Sequence, residues 1–350
     1  MLNHHGHDKF DGLATDTFDS TTISTNFTNF APMMTLGMAK KRANLLTKMR
    51  QFFAQRNVLE VQTPLLSQAG NTDVYLQSIP ADATYLDRLT RFYLHTSPEF
   101  AMKRLLASWQ VPIYQICPVF RDNERGSRHN LEFTMLEWYR PNFDLSQLAQ
   151  ELAQLLESVS GQQQILSHYR YVDAFMDHVG VHPLTSSTTV LKAVAEDKGI
   201  THHLPESGVD EHQMWLDLLF SHLVEPNLGR ELPTLIVDYP KATAALARIE
   251  KDKDGHEVAK RFELYINGIE IANAYDELAD AKALQQRFEL DNQMRQAQGL
   301  PVMPIDNALL QAVEQMPACS GIALGVDRLL MVLTNSNHID EVIAFGSDRA

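Results

Sequence analysis

An Asn-Gly pair, Asn267-Gly268, constrains this chain more than any other feature, because it stands between two runs rich in apolar residues. Asn-Gly in that setting is the strongest short-range signal for a β-hairpin with a two-residue turn. Residues 261–277 are therefore predicted to form two antiparallel strands. The opposing pairs that a two-residue turn predicts are Ile266 with Ile269, Tyr265 with Glu270, and Glu263 with Ala272.

The register of this hairpin places two carboxylates, Glu263 and Glu270, on one face as diagonal neighbours. Carboxylates that close repel each other unless a cation lies between them, and their hard oxygen atoms favour Mg²⁺. The alternative is that both side chains point into water. Strict alternation puts Asn273, Tyr275 and Glu277 on the opposite face, so a single pocket requires a β-bulge, of which the sequence gives no sign.

A charged loop joins two further predicted strands, residues 111–120 and 133–140. Arg121 ends the first of these strands, where its planar guanidinium can bind a phosphate in a bidentate geometry that lysine cannot match. The alternative is an ordinary solvated surface hairpin, because charged residues are dense throughout the loop. Taken alone, this segment does not decide between the two interpretations.

A strand of small residues, 319–325, is predicted to lead directly into a helix that begins near Val326. Arg328 lies in the first turn of that helix. Helix N-termini attract anions, and small residues allow a nucleotide to approach the backbone. A glycine-rich run alone is weak evidence, and this one matches neither a P-loop nor a dinucleotide fingerprint.

Several helices are predicted from spacing and capping signals. Apolar residues three and four apart predict an amphipathic helix over 36–53. Ser97-Pro98-Glu99 is typical of a helix start, with serine as the N-cap, proline in the first turn and glutamate favoured by the dipole. A further helix is predicted over 278–298. Residues 1–34 are polar and are predicted to form a disordered tail, whereas 185–232 suggest no chemistry.

Composition narrows the classes of function. The chain has 350 residues, 44% of them hydrophobic, which is ample for a buried core. Its formal net charge of −14 disfavours extensive contact with nucleic acid, because neutralising phosphates drives such binding. Two cysteines far apart in sequence indicate neither a disulfide framework nor a metal cluster and fit a reducing cytoplasm. No apolar run is long enough to predict a membrane span.

Together the three segments resemble the motifs of class II aminoacyl-tRNA synthetases over roughly residues 36–350. The first helix, the following short strand and Pro64 resemble motif 1, the dimer element, while 120–139 resembles motif 2 and 325–328 resembles motif 3. Within the class, 128–137 and 270–277 are similar to the lysyl branch. The resemblance implies an α+β fold, a mostly antiparallel sheet of six or seven strands flanked by helices in one catalytic domain, 35–350, assembled as a homodimer.

The ends of the chain narrow the resemblance further. About 35 residues precede motif 1 and 22 follow Arg328, so no anticodon-reading barrel is expected at either end. Such a stand-alone lysyl-type domain is similar to the elongation factor P–(R)-β-lysine ligases, especially over 133–141 and 341–345. Ala323 lies where lysyl-tRNA synthetases have glycine, as expected if the substrate carries an amine on Cβ.

The resemblance implies a role for individual residues. Catalysis would rest on Arg121, which would hold the α-phosphate, and Arg328, which would hold the γ-phosphate. Glu263 and Glu270 would bind Mg²⁺. The residues implied to border ATP are Arg121, Asp122, Asn123, Asn130, Phe133, Glu270, Ile271, Gly325 and Arg328. Those implied to bind the amino acid are Ser97, Pro98, Glu99, Tyr139, Asn273, Tyr275, Glu277 and Ala323.

The implied function is ATP-dependent activation of (R)-β-lysine and its ligation to a lysine of elongation factor P in the cytoplasm. Two departures from the family pattern bear on it: Asn123 replaces a usual glutamate, with the acid one residue later at Glu124, and Leu131 replaces a usual proline. One alternative is a free-standing enzyme that aminoacylates tRNA or another acceptor. Another is a catalytically inactive regulatory subunit, which Asn123 favours and the intact Arg121 and Arg328 oppose.

Overall fold

The computed structural model describes residues 30–200 and 210–350. Residues 1–29 of the tail predicted over 1–34 lie outside the described residues. In the described part of that tail, the Met33 backbone N–H donates to the Ala344 carbonyl at 2.8 Å. The helices of the described residues are α1 (Leu36–Ala54), α2 (Glu99–Trp109), α3 (Leu145–Ser160), α4 (Tyr171–Val179), α5 (Thr188–Asp197), α6 (Glu211–Leu219), α7 (Ala281–Ala297), α8 (Asn307–Val313) and α9 (Val326–Thr334).

Two sheets are present in the described part of the chain. The larger runs β1-β5-β6-β12-β11-β10-β8-β7, with β9 paired to β10, and the smaller runs β2-β4-β3. The strands are β1 (Leu59–Glu60), β2 (Leu66–Ser67), β3 (Pro80–Tyr85), β4 (Arg88–Leu94), β5 (Ile113–Phe120), β6 (Glu132–Pro141), β7 (Ser167–Arg170), β8 (Thr234–Pro240), β9 (Ile249–Lys251), β10 (Glu257–Ile266), β11 (Ile269–Asp276) and β12 (Cys319–Gly325).

The larger sheet confirms the α+β class and its antiparallel character. Only β1 with β5 and β7 with β8 pair in parallel among the described strands. The expected six or seven strands are too few, since the sheet has nine. The additional strands are short and lie at its edges, where β1 has two residues and β9 has three.

Alternation along β6, β10 and β12 separates an apolar core from a polar face. Leu136 and Trp138 of β6, with Leu264 of β10 and Ile322 of β12, contribute to the core beneath α1, α3 and α9. The residues between them along each strand point to the other face. That face carries polar and small residues, and this is where a cavity opens.

Helix α1 is held to α9 by an ion pair as well as to the core by apolar packing. Arg42 binds the Asp327 carboxylate, which also accepts from the Thr134 backbone N–H at 2.6 Å. The buried face of α1 carries Met49 and Phe53, as the spacing predicts, but Leu36 is 73% exposed. The predicted apolar stripe therefore extends to the start of the helix, where Leu36 is left largely exposed.

Helices α3 and α2 begin with different kinds of cap. Asp144 caps α3 in a complete capping box with Gln147. Helix α2 begins at Glu99 with Pro98 at its N-cap, one residue later than predicted, although Ser97 Oγ still accepts from the Glu99 N–H at 3.3 Å. Both cysteines, Cys117 and Cys319, are buried and unbridged.

Candidate active site

A cavity of about 1370 Å³ covers the polar face of the larger sheet. It is bounded by β6, β10, β11 and β12, by the loop after β2 and by α6. The implied site residues that line it are Ser97, Glu99, Arg121, Phe133, Tyr139, Glu263, Glu270, Ile271, Asn273, Tyr275, Glu277, Ala323, Gly325 and Arg328. Four others do not line it: Asp122 and Asn123 are exposed, Asn130 is buried outside it, and Pro98 lines a smaller cavity.

A β-bulge explains how both halves of the 261–277 hairpin reach this cavity. Tyr265 pairs with Glu270, as the turn predicts, but Leu264 pairs with Ala272, so Ile271 has no opposite partner. The prediction that Glu263 opposes Ala272 is therefore wrong, because Glu263 opposes Asn273. A bulge reverses the facing of every later side chain on its strand.

The deep end of the cavity holds three carboxylates around one lysine. The Lys103 ammonium lies 2.7 Å from Glu99 and 2.6 Å from Glu277, and its side chain is 1% exposed. Glu137, which is 2% exposed, accepts from the Tyr139 hydroxyl at 2.7 Å. The other oxygen of Glu137, Oε2, is buried and has no hydrogen-bond partner. The cluster is therefore short of cations and of hydrogen-bond donors.

The pKa values of this cluster report the same imbalance. Burial and then the Glu99 charge raise the pKa of Glu137 to about 8. Burial also raises the pKa of Glu277 to about 7, against the lowering effect of Lys103. Burial alone would lower the pKa of Lys103, but Glu277 and Glu99 outweigh it and raise that pKa. An additional cation at this end would favour the ionised carboxylates.

The middle of the cavity is organised by a buried arginine. Arg261 binds Glu263 and donates to Asn273 Oδ1 at 3.1 Å and to the Thr243 carbonyl at 2.8 Å. Glu263 also accepts from the hydroxyls of Tyr239 and Tyr265. Asn273 is thereby held by a side chain that is itself fixed on both sides.

The outer end of the cavity carries the cations. Arg328 lies 3.3 Å from the Glu270 carboxylate, and its Nη2 faces His129 Nε2 at 2.6 Å. Burial and then the Arg328 charge lower the pKa of His129, so the neutral ring accepts this hydrogen bond. Arg121 lies over the Phe133 ring, 5.1 Å from its centroid, and its Nε is buried with no hydrogen-bond partner.

The backbone of the loop between β5 and β6 explains why asparagine is present at position 123. Its φ of 62° is in the left-handed region, which asparagine tolerates better than glutamate. The neighbouring Glu124 lies 3.6 Å from the Arg121 guanidinium and lines the cavity. The carboxylate next to Arg121 is therefore supplied by Glu124.

Comparison with known proteins matches residues 22–349 to the class II (D, K and N) tRNA synthetases. Proteins named elongation factor P–(R)-β-lysine ligase are 44% identical in Haemophilus ducreyi, over 92% of this chain and 97% of that protein, and 45% identical in Mannheimia succiniciproducens, over 91% and 97%. The chain belongs to the elongation factor P–(R)-β-lysine ligase family. The Pasteurella multocida member is 43% identical over 92% of this chain and 98% of its own.

The two carboxylates that would hold the Mg²⁺ implied by this family's synthetase chemistry are Glu270, at the outer end of the cavity, and Glu263, in its middle. Glu263 is already bonded to three donors, whereas Glu270 has one loose partner, Arg328. Burial and then the Glu263 charge raise the pKa of Glu270, a repulsion that a cation would relieve. No group of three or more His, Cys, Asp or Glu side chains in the described ranges can hold a metal. Such a site suits Mg²⁺ shared with substrate phosphates.

Sequence reasoning missed four residues that shape this cavity. Lys103 and Glu137 belong to the deep cluster, and Arg261 fixes Asn273. The fourth is Gly321, where a Cβ atom would lie 2.4 Å from both Glu277 and the Tyr139 ring. Alternation on β6 could have identified Glu137, since Tyr139 two residues later shares its face. A lysine within an amphipathic helix, by contrast, is normally predicted to be solvent-exposed.

Proposed function

We propose that this chain activates (R)-β-lysine with ATP and transfers the β-lysyl group to a lysine side chain of elongation factor P. The relatives that carry that name support the overall reaction. The observation that carries the amino-acid specificity is the deep cluster of Glu99, Glu137 and Glu277 around Lys103.

The deep cluster suits a substrate with an ammonium group. Three carboxylates face one lysine, and Glu137 Oε2 has no donor. An ammonium carries one positive charge and three N–H donors, so it meets both needs. In a buried site such charge-assisted hydrogen bonds are strong, whereas an uncharged side chain would leave the carboxylates unpaired. Tyr139 and Tyr275 complete the walls, and Ser97 with Pro98 sets the start of the helix that carries Glu99.

The outer cations suit a triphosphate. In the proposed first step a carboxylate oxygen of β-lysine attacks the α-phosphorus, the bond to the β-phosphate oxygen breaks, and pyrophosphate leaves with the electron pair. Arg121 binds the α-phosphate and Arg328 the γ-phosphate. Both stabilise negative charge that develops during transfer, so no protein nucleophile is needed. Glu270 and Glu263 would hold Mg²⁺, which when bound would further neutralise the charge on the phosphates.

The adenine site in this proposal lies between motif 2 and motif 3. Phe133 stacks on the base, and Ile271 and Gly325 border the nucleotide. Asn130, whose Oδ1 accepts from the Ser347 N–H, does not line the cavity, and neither do Asp122 and Asn123, so their proposed role is to shape the loop beside the nucleotide.

In the second step the acceptor amine attacks the carbonyl carbon of the acyl-adenylate. A C–N bond forms, the C–O bond to AMP breaks, and AMP leaves with the electron pair. The starting ammonium loses two protons in all, one before the attack and one on amide formation. The acidic chain, with a net charge of −14, favours a protein acceptor over tRNA.

The quaternary part of the proposal is a homodimer formed through motif 1. Leu36 on α1 and Leu59 on the edge strand β1 are exposed large apolar residues in this single chain. Exposed apolar residues on a helix and an edge strand suit an interface with a second copy. Sedimentation equilibrium should give twice the mass of one chain. A monomer at micromolar concentration would contradict the proposed homodimer.

The proposed compartment is the cytoplasm, where thiols stay reduced. Cys117 and Cys319 are both unbridged. No described helix is both long and apolar enough to cross a bilayer.

Exchange of labelled pyrophosphate into ATP tests the activation step. We expect exchange that depends on (R)-β-lysine and that exceeds exchange with leucine by at least about 100-fold, because leucine lacks the side-chain ammonium that (R)-β-lysine carries. A protein without any amino-acid-dependent exchange would be an inactive paralogue. Equal transfer of the activated amino acid to tRNA would favour the free-standing synthetase instead.

A further inference from the structure

A buried glutamine, Gln115, adjoins the deep cluster and has no part in the reaction described above. It lies on β5 directly opposite Glu137 of β6. The same row across the sheet continues through Ala323 of β12 to Asn273 of β11, and these three neighbours all line the cavity. Opposite residues of an antiparallel pair point to the same face, so Gln115 shares the face that carries the amino-acid site.

The amide of Gln115 is buried and makes no hydrogen bond. The residue is 1% exposed, and neither Oε1 nor Nε2 has a partner among the described residues. Its neighbours on the same face of β5, Ile113 and Cys117, are buried and apolar. An apolar side chain at position 115 would avoid the cost of burying an unpaired amide. The glutamine therefore indicates a hydrogen bond that forms in another state of the site.

Glu137 is the neighbour with a matching need. Its Oε1 accepts from the Tyr139 hydroxyl at 2.7 Å, while Oε2 is buried and unbonded within the described part of the chain. Opposite residues of antiparallel strands have Cβ atoms about 4.5–5.5 Å apart. Glutamine and glutamate side chains have the same length, so their end groups lie at the same height above the sheet. Rotation about the terminal torsions of Gln115 can therefore bring Nε2 to Glu137 Oε2.

We propose that Gln115 is a positioning residue whose Nε2 donates to Glu137 Oε2 when an ammonium group of β-lysine binds. The inference rests on the proposed function, because it takes Glu137 to bind that ammonium. Glu137 lines the cavity, whereas Gln115 lies behind it and outside the lining. Gln115 therefore acts through Glu137 and does not touch the substrate.

This arrangement links the amide to the ammonium through one carboxylate. An ionised carboxylate has about four lone-pair sites, so Glu137 can accept from Tyr139, Gln115 and the ammonium together. A hydrogen bond to an ionised oxygen is roughly twice as strong as one between neutral groups. It favours the ionised carboxylate and fixes the direction in which that group faces the cavity. An amide supplies this donor without adding a cation that would compete with the substrate.

Gln115→Met tests the positioning role, because methionine keeps the length of the side chain and removes both polar atoms. The matched control is Gln285→Met on α7, where the exposed Gln285 amide donates to Glu289. Glu137→Met, alone and combined with Gln115→Met, completes a double-mutant cycle. Pyrophosphate exchange gives the half-saturating concentrations of (R)-β-lysine and ATP. The rise in melting temperature with β-lysine measures binding without turnover, so slow variants are measured as well.

We expect Gln115→Met to raise the half-saturating concentration of β-lysine by about 10- to 100-fold, as the loss of a hydrogen bond to a charged group predicts. The exchange rate at saturation and the half-saturating ATP concentration should stay within about twofold of wild type. The melting temperature of the ligand-free variant should equal or exceed that of wild type, because an unbonded buried amide is removed. In the Glu137→Met background, the same substitution should change β-lysine binding by less than about twofold. The Gln285→Met control should match wild type throughout.

Three results would overturn this role for Gln115. An unchanged β-lysine half-saturation in Gln115→Met would show that the amide does not support binding. An equal rise with Glu137 and with methionine at position 137 would show that the amide acts independently of that carboxylate. A lower melting temperature together with weaker use of both ATP and β-lysine would make Gln115 a structural residue. Wild-type protein without β-lysine-dependent exchange would instead contradict the proposed function, and the role of Gln115 would fall with it.

Discussion

The Lys103 ammonium and the Glu277 carboxylate form an ion pair at 2.6 Å in which both side chains are almost fully buried. The substrate ammonium is therefore not the first cation in the deep cluster. Lys103 offsets part of the repulsion among three carboxylates and leaves Glu137 for the ligand. A buried ion pair contributes little net stability, so we expect the main role of this pair to be positioning the carboxylates of the deep cluster.

Glu137→Gln tests this charge balance through pH. A carboxyl whose folded pKa is raised, here from 4.5 to about 8, contributes stability that is present at low pH and is lost as pH rises through that value. Glutamine does not titrate. In ligand-free protein, the melting temperature of the Glu137→Gln variant relative to wild type should therefore become more favourable as pH rises from 4.5 to about 8. An exposed control, Glu132→Gln, should show no such trend, and a difference that stays constant with pH for Glu137→Gln would contradict the assigned charge balance.

Gly321→Ala should block the amino-acid site. A Cβ atom would lie 2.4 Å from Glu277 Oε1 and from the Tyr139 ring, so both must shift. Overpacking of this kind typically costs about 1–3 kcal/mol, which corresponds to roughly 10- to 100-fold weaker binding of the amino acid. Measured by exchange, the half-saturating concentration of β-lysine should rise while that of ATP stays close to wild type. Gly37→Ala is the control, because its Cβ meets only Thr35 Oγ1 at an ordinary 3.7 Å.

Arg328→Ala should abolish activation without unfolding the protein. Its guanidinium contacts Glu270 and His129 at the outer end of the cavity. The loss of one charge-assisted phosphate contact in a transition state typically costs about 10²- to 10³-fold in rate. Arg121→Ala should behave alike, while Arg91→Ala, which breaks an exposed pair with Asp82, should not. Near-normal exchange in the Arg328 or Arg121 variant would refute the motif assignment.

How far the sequence predicted this site can be seen in the 261–277 hairpin. The turn and its first two pairs, as far as Tyr265 with Glu270, are confirmed because a two-residue turn determines them locally. The next pair was wrong because the bulge at Ile271 depends on packing against β8 and β12, which no local signal reports. The single cavity that the family motifs imply needs this bulge.

Residues outside the motifs were harder to predict for a different physical reason. Lys103 lies on a helix whose spacing is typical of amphipathic helices, and charged residues on such helices are normally solvated. Its burial is determined by the elements that cover it. The replacement of glutamate by Asn123 is explained by its left-handed backbone, which the sequence does not reveal. The ligand roles of the implied site residues stay predictions.

Ala323→Gly should shift preference toward ordinary L-lysine. Ala323 lies between Glu137 of β6 and Asn273 of β11 in the sheet, and it lines the cavity. One methyl in a tight site is typically worth about 1–3 kcal/mol, or roughly 10- to 200-fold in discrimination. The change should appear in the half-saturating concentration of the amino acid and leave that of ATP unaltered. Equal slowing of exchange with L-lysine and (R)-β-lysine would mean that Ala323 only packs against its neighbours.

The most direct measurement is the mass of elongation factor P after incubation with this protein, ATP and (R)-β-lysine. The account predicts that elongation factor P gains one β-lysyl group on a single lysine, with one AMP released for each group transferred. Omission of ATP or of β-lysine should leave its mass unchanged. Elongation factor P that keeps its mass while the protein forms the β-lysyl-adenylate, or charges tRNA with it, would contradict the account.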